Sequence, residues 1–255
     1  MTEFLAGVRL QFALFRRNPG MLAVFVSLPF FSAIFLSGVE AAKRSSLAAD
    51  AVLGPSMIGL WAISLDLGGS LVDNERVQQT FELLVIAPSS LPRVIAGRIF
   101  SITGLGMLAF VESILFARVA FGVQIHISQP APMALTLAAT AVAMAGTSTA
   151  MATVFVAMRA ARRFGNVLGY PFYIIGGLLV PVTFLPLWIR PLSWLTYLYW
   201  SSDLLRDCLT SRPIADFGWQ LLAVLATGLI AYLAGMRVMF RVIEVLRNDG
   251  TVGLS

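Results

Sequence analysis

Residues 73–93 read DNERVQQTFELLVIAPSSLPR, a polar interruption between two apolar runs at 51–72 and 94–117. Each run exceeds the roughly 20 residues that a helix needs to cross a bilayer core. The segment opens on Asp73, Asn74 and Glu75, places Phe81, Leu84 and Val85 at helical spacing, and leaves through Pro88-Ser89-Ser90-Leu91-Pro92. A connection that only joined two helices would be shorter and plainer. The stretch is therefore expected to connect two spans and to meet a partner.

Composition sets the class. The chain of 255 residues is 58% hydrophobic and 12% charged, and its mean hydropathy is +0.85. A water-soluble domain carries about a quarter of its residues as charges, so this is an integral membrane protein. Barrel strands would alternate over about ten residues, whereas these runs are continuous and read as helices. Helices also satisfy their own backbone groups in lipid. The formal charge of +5 sits beside apolar runs, where it reads as a topology signal and headgroup contact, not as a nucleic-acid surface.

The pattern predicts an all-α membrane domain over 1–255 with six spans, at about 21–39, 51–72, 94–117, 133–157, 167–184 and 217–239. The apolar run from Met21 follows a segment too long for a cleaved signal and precedes five more spans, so it is expected as a retained helix. Residues 1–18 are expected to form an amphipathic helix in the membrane interface. Phe4, Leu5, Val8, Phe12 and Phe15 form its apolar side and Arg9, Arg16 and Arg17 its polar side. With six spans both termini share a side. Arg9, Arg16, Arg17, Arg76, Arg93, Arg98, Arg159, Arg162, Arg163, Arg237, Arg241 and Arg247 fall on that side; Lys43, Arg44, Arg118, Arg190, Arg206 and Arg212 fall on the other. The excess places the termini and 73–93 in the cytoplasm.

Residues 185–216 are too interrupted for a span and too apolar for a solvated loop. Pro186 and Pro191 divide the start of this stretch, and Trp188, Trp194, Tyr197, Tyr199 and Trp200 crowd together. These aromatics favour the headgroup level. The stretch reads as a re-entrant helical hairpin on the outer side, with an ordinary interfacial helix as the alternative. Gly165, Gly169, Gly176 and Gly177 permit close helix packing.

Catalytic chemistry is not apparent. The one lysine, Lys43, follows Ala42, so the Gly-Lys pair of a phosphate-binding loop is missing. One histidine, His126, and one cysteine, Cys208, form no metal or nucleophile constellation. His126 reads as an outer surface residue and Cys208 as inert. Two carboxylates lie in apolar runs, Asp66 in span two and Glu112 in span three. An ionised group at mid-membrane costs roughly 2.5–3.5 kcal/mol on insertion scales. Both, with Thr183, are candidates for a translocation path. The plainer readings are a polar vestibule for Asp66, and for Glu112 an ion pair with Arg118 or a neighbouring span, or a protonated carboxyl.

The order Glu75-Arg76, Gln79-Thr80-Phe81-Glu82-Leu83-Leu84, Ala87-Pro88 resembles the segment after the second span in permeases of ABC-2-type transporters. Arg16-Arg17-Asn18-Pro19 resembles the end of that family's interfacial connecting helix. Leu179-Val180-Pro181, Leu185-Pro186-Leu187-Trp188 and Asp203-Leu204-Leu205-Arg206 resemble its fifth span and outer hairpin. The pattern departs at Gln79, where Gly is usual, and at Phe81, where Leu is usual. The resemblance is to drug, antibiotic and lipid exporters, including daunorubicin-resistance permeases. It implies efflux across the plasma (inner) membrane of a prokaryote by a homodimer or paralogous heterodimer of permeases. It implies separate ABC ATPase subunits that carry ATP and Mg, with no cofactor on this chain. It also implies that 73–93 holds the coupling helix, with Glu75, Thr80, Phe81, Glu82, Leu83 and Pro88 as coupling positions. The alternative is a proton-coupled secondary transporter using Asp66 or Glu112, against which the absence of an evident repeat argues.

Overall fold

The computed structural model describes residues 2–18, 28–41, 48–77, 90–123, 126–157, 170–178, 182–210, 213–214 and 216–248. Every regular element among them is helical: α1 (Thr2–Arg17), α2 (Leu28–Ala41), α3 (Ala48–Val77), α4 (Leu91–Phe121) and α5 (Pro130–Ala157) come first. A helical stretch at 170–175 and a 3-10 turn, Val182–Phe184, follow. Then come α6 (Arg190–Trp194), α7 (Tyr197–Asp207) and α8 (Phe217–Asn248).

Three of these helices are long and apolar enough to cross a membrane, over Leu91–Phe121, Pro130–Phe155 and Phe217–Val245, while α2 and α3 carry the shorter apolar stretches Pro29–Ala41 and Ala51–Leu65. At 1.5 Å per residue even the 26-residue stretch in α5 spans about 39 Å. Their outward faces keep large apolar side chains exposed, such as Leu108, Val111, Leu115 and Val119 on α4 and Leu222, Leu229 and Ile230 on α8. Hydrocarbon suits such faces; water does not.

The core is built around α5, which packs against α3, α4, α7 and α8. Its sequence, rich in Ala and Thr, lets other backbones approach. Gly146 lies against the Gly228 carbonyl, Gly228 against the Cα of Ala143, and Gly235 against the backbone of Ala150, so that a Cβ at any of the three would collide with its neighbour. Hydroxyl groups complete the contact. The Thr153 hydroxyl donates to the Gly235 carbonyl at 3.0 Å, Ser148 bonds Ser64 of α3 at 2.6 Å, and Thr140 bonds Ser201 of α7 at 2.6 Å.

Several expected boundaries move. The helix of the second apolar run continues to Val77, and α4 opens at Leu91. Asp73-Asn74-Glu75-Arg76 is thus helix, since polar residues end an apolar layer without ending hydrogen bonding along the backbone. The fifth apolar run does not continue as one helix to 184. It stops at Gly177, where φ is 70°. The Leu178 N–H donates to Tyr173 O and the Gly177 N–H to Ile174 O, both at 3.1 Å, the pairing of a Schellman stop. Gly177 therefore serves a helix end, while Gly176 lets the Leu198 side chain approach.

The α5–α8 contact gives a direct test. Gly228→Leu is expected to lower stability by about 1–3 kcal/mol or more, as overpacking does. Gly218→Ala, with no atom near the added carbon, is expected to change little. Thermal unfolding of the two variants in detergent decides it, and equal melting temperatures would contradict the packing described.

Candidate functional site

The segment expected to meet a partner has two structural borders. On one side α3 ends at Val77. On the other, Ser90 precedes α4, with Pro92 in its first turn, where a missing N–H costs nothing. Glu75 lies in α3 with its side chain outside the description; Thr80, Phe81, Glu82, Leu83 and Pro88 lie outside the described residues.

The second border is held by α1. Ser90 is extended and its own hydroxyl makes no cap. The acceptor comes instead from Glu3, 87 residues earlier. Its Oε1 accepts the Ser90 N–H at 2.8 Å, and its Oε2 accepts from Arg93 Nη1 at 3.1 Å. A carboxylate at a helix N-terminus meets both free N–H groups and the positive end of the dipole. The Ser90 N–H, and with it Arg93, holds the Glu3 carboxyl below its ordinary value.

Below this latch the two helices cross closely. Gly7 touches the backbone of Val94, and Gly97 the carbonyl of Phe4. Further along, Arg98, 5% exposed, donates from Nε to the buried Gln11 Oε1 at 3.1 Å. A buried guanidinium needs such partners. Arg98 is thus an interhelical tie. The face of α1 also differs from expectation. Gly7, Gln11 and Phe15 are its buried line, Phe4 and Val8 are half-buried, and Leu5 and Phe12 stay exposed. The close approach at Gly7 turns that line toward α4 and leaves the other apolar residues outside.

The remaining candidates are dispersed. Asp66 directly follows the apolar stretch Ala51–Leu65 of α3, and Thr183 lies in the 3-10 turn; both side chains are outside the description. Glu112 is half-buried on α4, and among the described residues it has no ion pair with Arg118 or any other cation. The structure brings no two of these three together in a described contact. His126 is exposed and Cys208 is buried. Among the described residues no three His, Cys, Asp or Glu side chains gather as a metal site.

A family model for the ABC-2 type transporter matches residues 2–210. The chain belongs to the ABC-2 type transporter family. It is a membrane-embedded permease component of an ABC transporter, and membership implies partnership with an ABC ATPase subunit. No curated relative matches the sequence. The matched region ends after α7, so α8 lies beyond it.

Sequence reading passed over Glu3, Ser90 and Gln11. A signal was present: Glu3 is the sole acidic residue in the first 39. Its partners, 87 and 90 residues away, could not be read from periodicity.

The latch predicts a pH dependence of defined sign. Because the folded-state value of Glu3 is lowered, its contribution is fully present above the ordinary 4.5 and is lost as pH falls from there through the lowered value. At neutral pH, Glu3→Ala is expected to speed hydrogen exchange of the Ser90 amide about fivefold or more, the effect of losing one charged acceptor. An unchanged Ser90 exchange rate would rule the latch out in solution.

Proposed function

We propose that this ABC-2 permease exports a hydrophobic or amphipathic compound, such as a drug, an antibiotic or a lipid, using ATP hydrolysed on a separate subunit. Within the family the reading falls nearest daunorubicin-resistance permeases. The observation that carries it is the family match together with the place of the latch. The helix α1 is fastened to Ser90, the last residue before α4 and the exit of the segment that the family resemblance assigns to coupling. A push on 78–89 would reach α1 and α4 together.

In this reading the chain has six spans, both termini in the cytoplasm of a prokaryotic cell, and α6 and α7 as a re-entrant outer hairpin. Supporting the hairpin, α6 and α7 are too short to cross a bilayer, and α7 packs against α3, α5 and α8. Two permeases, identical or paralogous, would pair with two ATPases that hold ATP and Mg; the chain itself has no phosphate-binding Gly-Lys pair and no enzymatic role. Glu75, Thr80, Phe81, Glu82, Leu83 and Pro88 form the coupling segment, with Phe81 and its neighbours seated in a groove of the ATPase. Ala, Leu, Val, Met and Phe dominate the spans, which suits a cargo entering from lipid. Asp66, Glu112 and Thr183 are placed on its path.

Glu112, half-buried without an ion pair among the described residues, favours one competing reading, a proton-coupled carrier. Reconstitution separates the two. With the partner ATPase present, efflux is expected to follow ATP and to survive collapse of the proton gradient. Phe81→Ala or Glu82→Ala is expected to weaken ATPase association at least about tenfold, as loss of an interface anchor does. Transport by the permease alone, driven by a proton gradient, would overturn the proposal.

A further inference from the structure

One side of α1 is committed to the bundle and the other is open. Gly7, Gln11 and Phe15 form the buried line at the α4 contact. With 3.6 residues per turn, Leu5, Arg9, Phe12 and Arg16 fall within one sector of about 60° on the other side. Leu5 is 47% and Phe12 49% exposed, and Arg9 and Arg16 are exposed beside them. Arg17, also exposed, flanks that sector. The Phe12 ring stands edge-to-face on Phe15, 6.4 Å between centroids, so an outward ring is braced by a buried one. At 16 residues the helix is about 24 Å long, too short to cross a hydrocarbon core of about 30 Å.

This sector mixes two chemistries. Water suits the arginines and not the phenylalanine; hydrocarbon suits the phenylalanine and not a guanidinium. The headgroup layer suits both, because the apolar side chains can enter it while each arginine stem lies along it with the charge outward. The charges also lack an answer. Arg9, Arg16 and Arg17 make no ion pair among the described residues. Glu3, the sole acidic residue in the first 39, is committed to Ser90 and Arg93. Arg9 and Arg16, seven residues apart, are separated by about 10 Å along the helix, so each can take a phosphate of its own. A guanidinium binds phosphate through two parallel hydrogen bonds. A zwitterionic headgroup brings its own ammonium to that phosphate, whereas an anionic headgroup leaves the negative charge to the protein.

We infer that the outward face of α1 is a binding site for anionic phospholipid headgroups, held by Arg9, Arg16 and Arg17 and seated by Leu5 and Phe12. The ligand is the lipid and not a free anion, because Leu5 and Phe12 need an apolar partner that a soluble phosphate does not offer. The site rests on the chain being embedded in a membrane; it does not rest on the export reading or on any cargo.

The test uses the full chain in phosphatidylcholine vesicles with a trace of spin-labelled phosphatidylglycerol, and spin-labelled phosphatidylcholine as the reference. Electron paramagnetic resonance reads the fraction of each lipid held by the protein. A preference for phosphatidylglycerol is expected. Changing Arg9, Arg16 and Arg17 together to Gln is expected to lower it about fivefold or more, the weight of at least one cation at an anionic surface. Changing Arg118, Arg237 and Arg241, three arginines exposed elsewhere, removes the same charge and is expected to leave most of the preference. Lys at positions 9, 16 and 17 keeps the charge and is expected to keep most of it as well. If the triple Gln variant does not fold, Arg9→Gln and Arg16→Gln decide singly, each with a smaller loss in the same direction. Equal losses in the two triple Gln variants would overturn the assignment, since the preference would then follow net charge and not this face. Displacement of the labelled lipid by inorganic phosphate would overturn it too, in favour of a free-anion site. So would loss of the preference on adding the partner ATPase, or a changed oligomeric state in the α1 variant, which would give the face to that subunit or to a second copy.

Discussion

The contact between α5 and α8 is made by backbone, and the bundle depends on it. In lipid the burial of an apolar side chain gains little, because hydrocarbon is equally apolar. Close approach, dispersion and interhelical hydrogen bonds must hold the helices instead. Gly146, Gly228 and Gly235 allow the approach, and Thr153, reaching the Gly235 carbonyl, adds a polar tie. From that axis α5 presents Ser148 to α3 and Thr140 to α7. The same rule recurs where α1 meets α4: Gly7 and Gly97 remove the bulk, and Arg98 and Gln11 supply the tie.

This explains why α1 belongs to the bundle. Its exposed Leu5 and Phe12 still suit an interface, but Glu3 and Gln11 commit the other side to α4. The Ser90 N–H at the start of α4 is answered by Glu3 of α1, and the Ser90 hydroxyl makes no cap. A helix start capped from outside moves with its cap. The entry of α4 and the whole of α1 are therefore one mechanical piece, and that piece borders the segment at 78–89.

Sequence alone made much of this legible. Continuous apolar runs announced α4, α5 and α8, and the clustered Arg16-Arg17-Asn18 marked the end of α1 near Arg17. Two kinds of feature escaped. Polarity marks Asp73–Arg76 as the start of a connection, although Glu and Arg are good helix formers and the backbone there stays helical. Long-range partners escaped as well. Nothing near Glu3 points to Ser90, and nothing near Trp61 points to Tyr197, whose ring centroid lies 6.0 Å away, because neither pair shares a period. The candidate residues Asp66, Glu112 and Thr183 were chosen for being polar in apolar runs, a property each has alone. The groups that converge at the latch are ordinary residues in isolation.

The helix stop at Gly177 shows how one local choice obliges a distant one. Ending a helix frees carbonyls at its last turn, and in an apolar bundle water cannot be relied on to satisfy them. The Schellman turn uses those of Tyr173 and Ile174. The Gly176 and Gly177 carbonyls are met by α7, through the Ser202 hydroxyl at 3.2 Å and Arg206 Nη2 at 2.9 Å. A cation also complements the negative end of a helix. So the break at Gly177 requires α7 to lie beside it, and α7 in that position puts Tyr197 within reach of Trp61. The contact of the Trp61 and Tyr197 rings, 6.0 Å between centroids, is a consequence of where one helix ends.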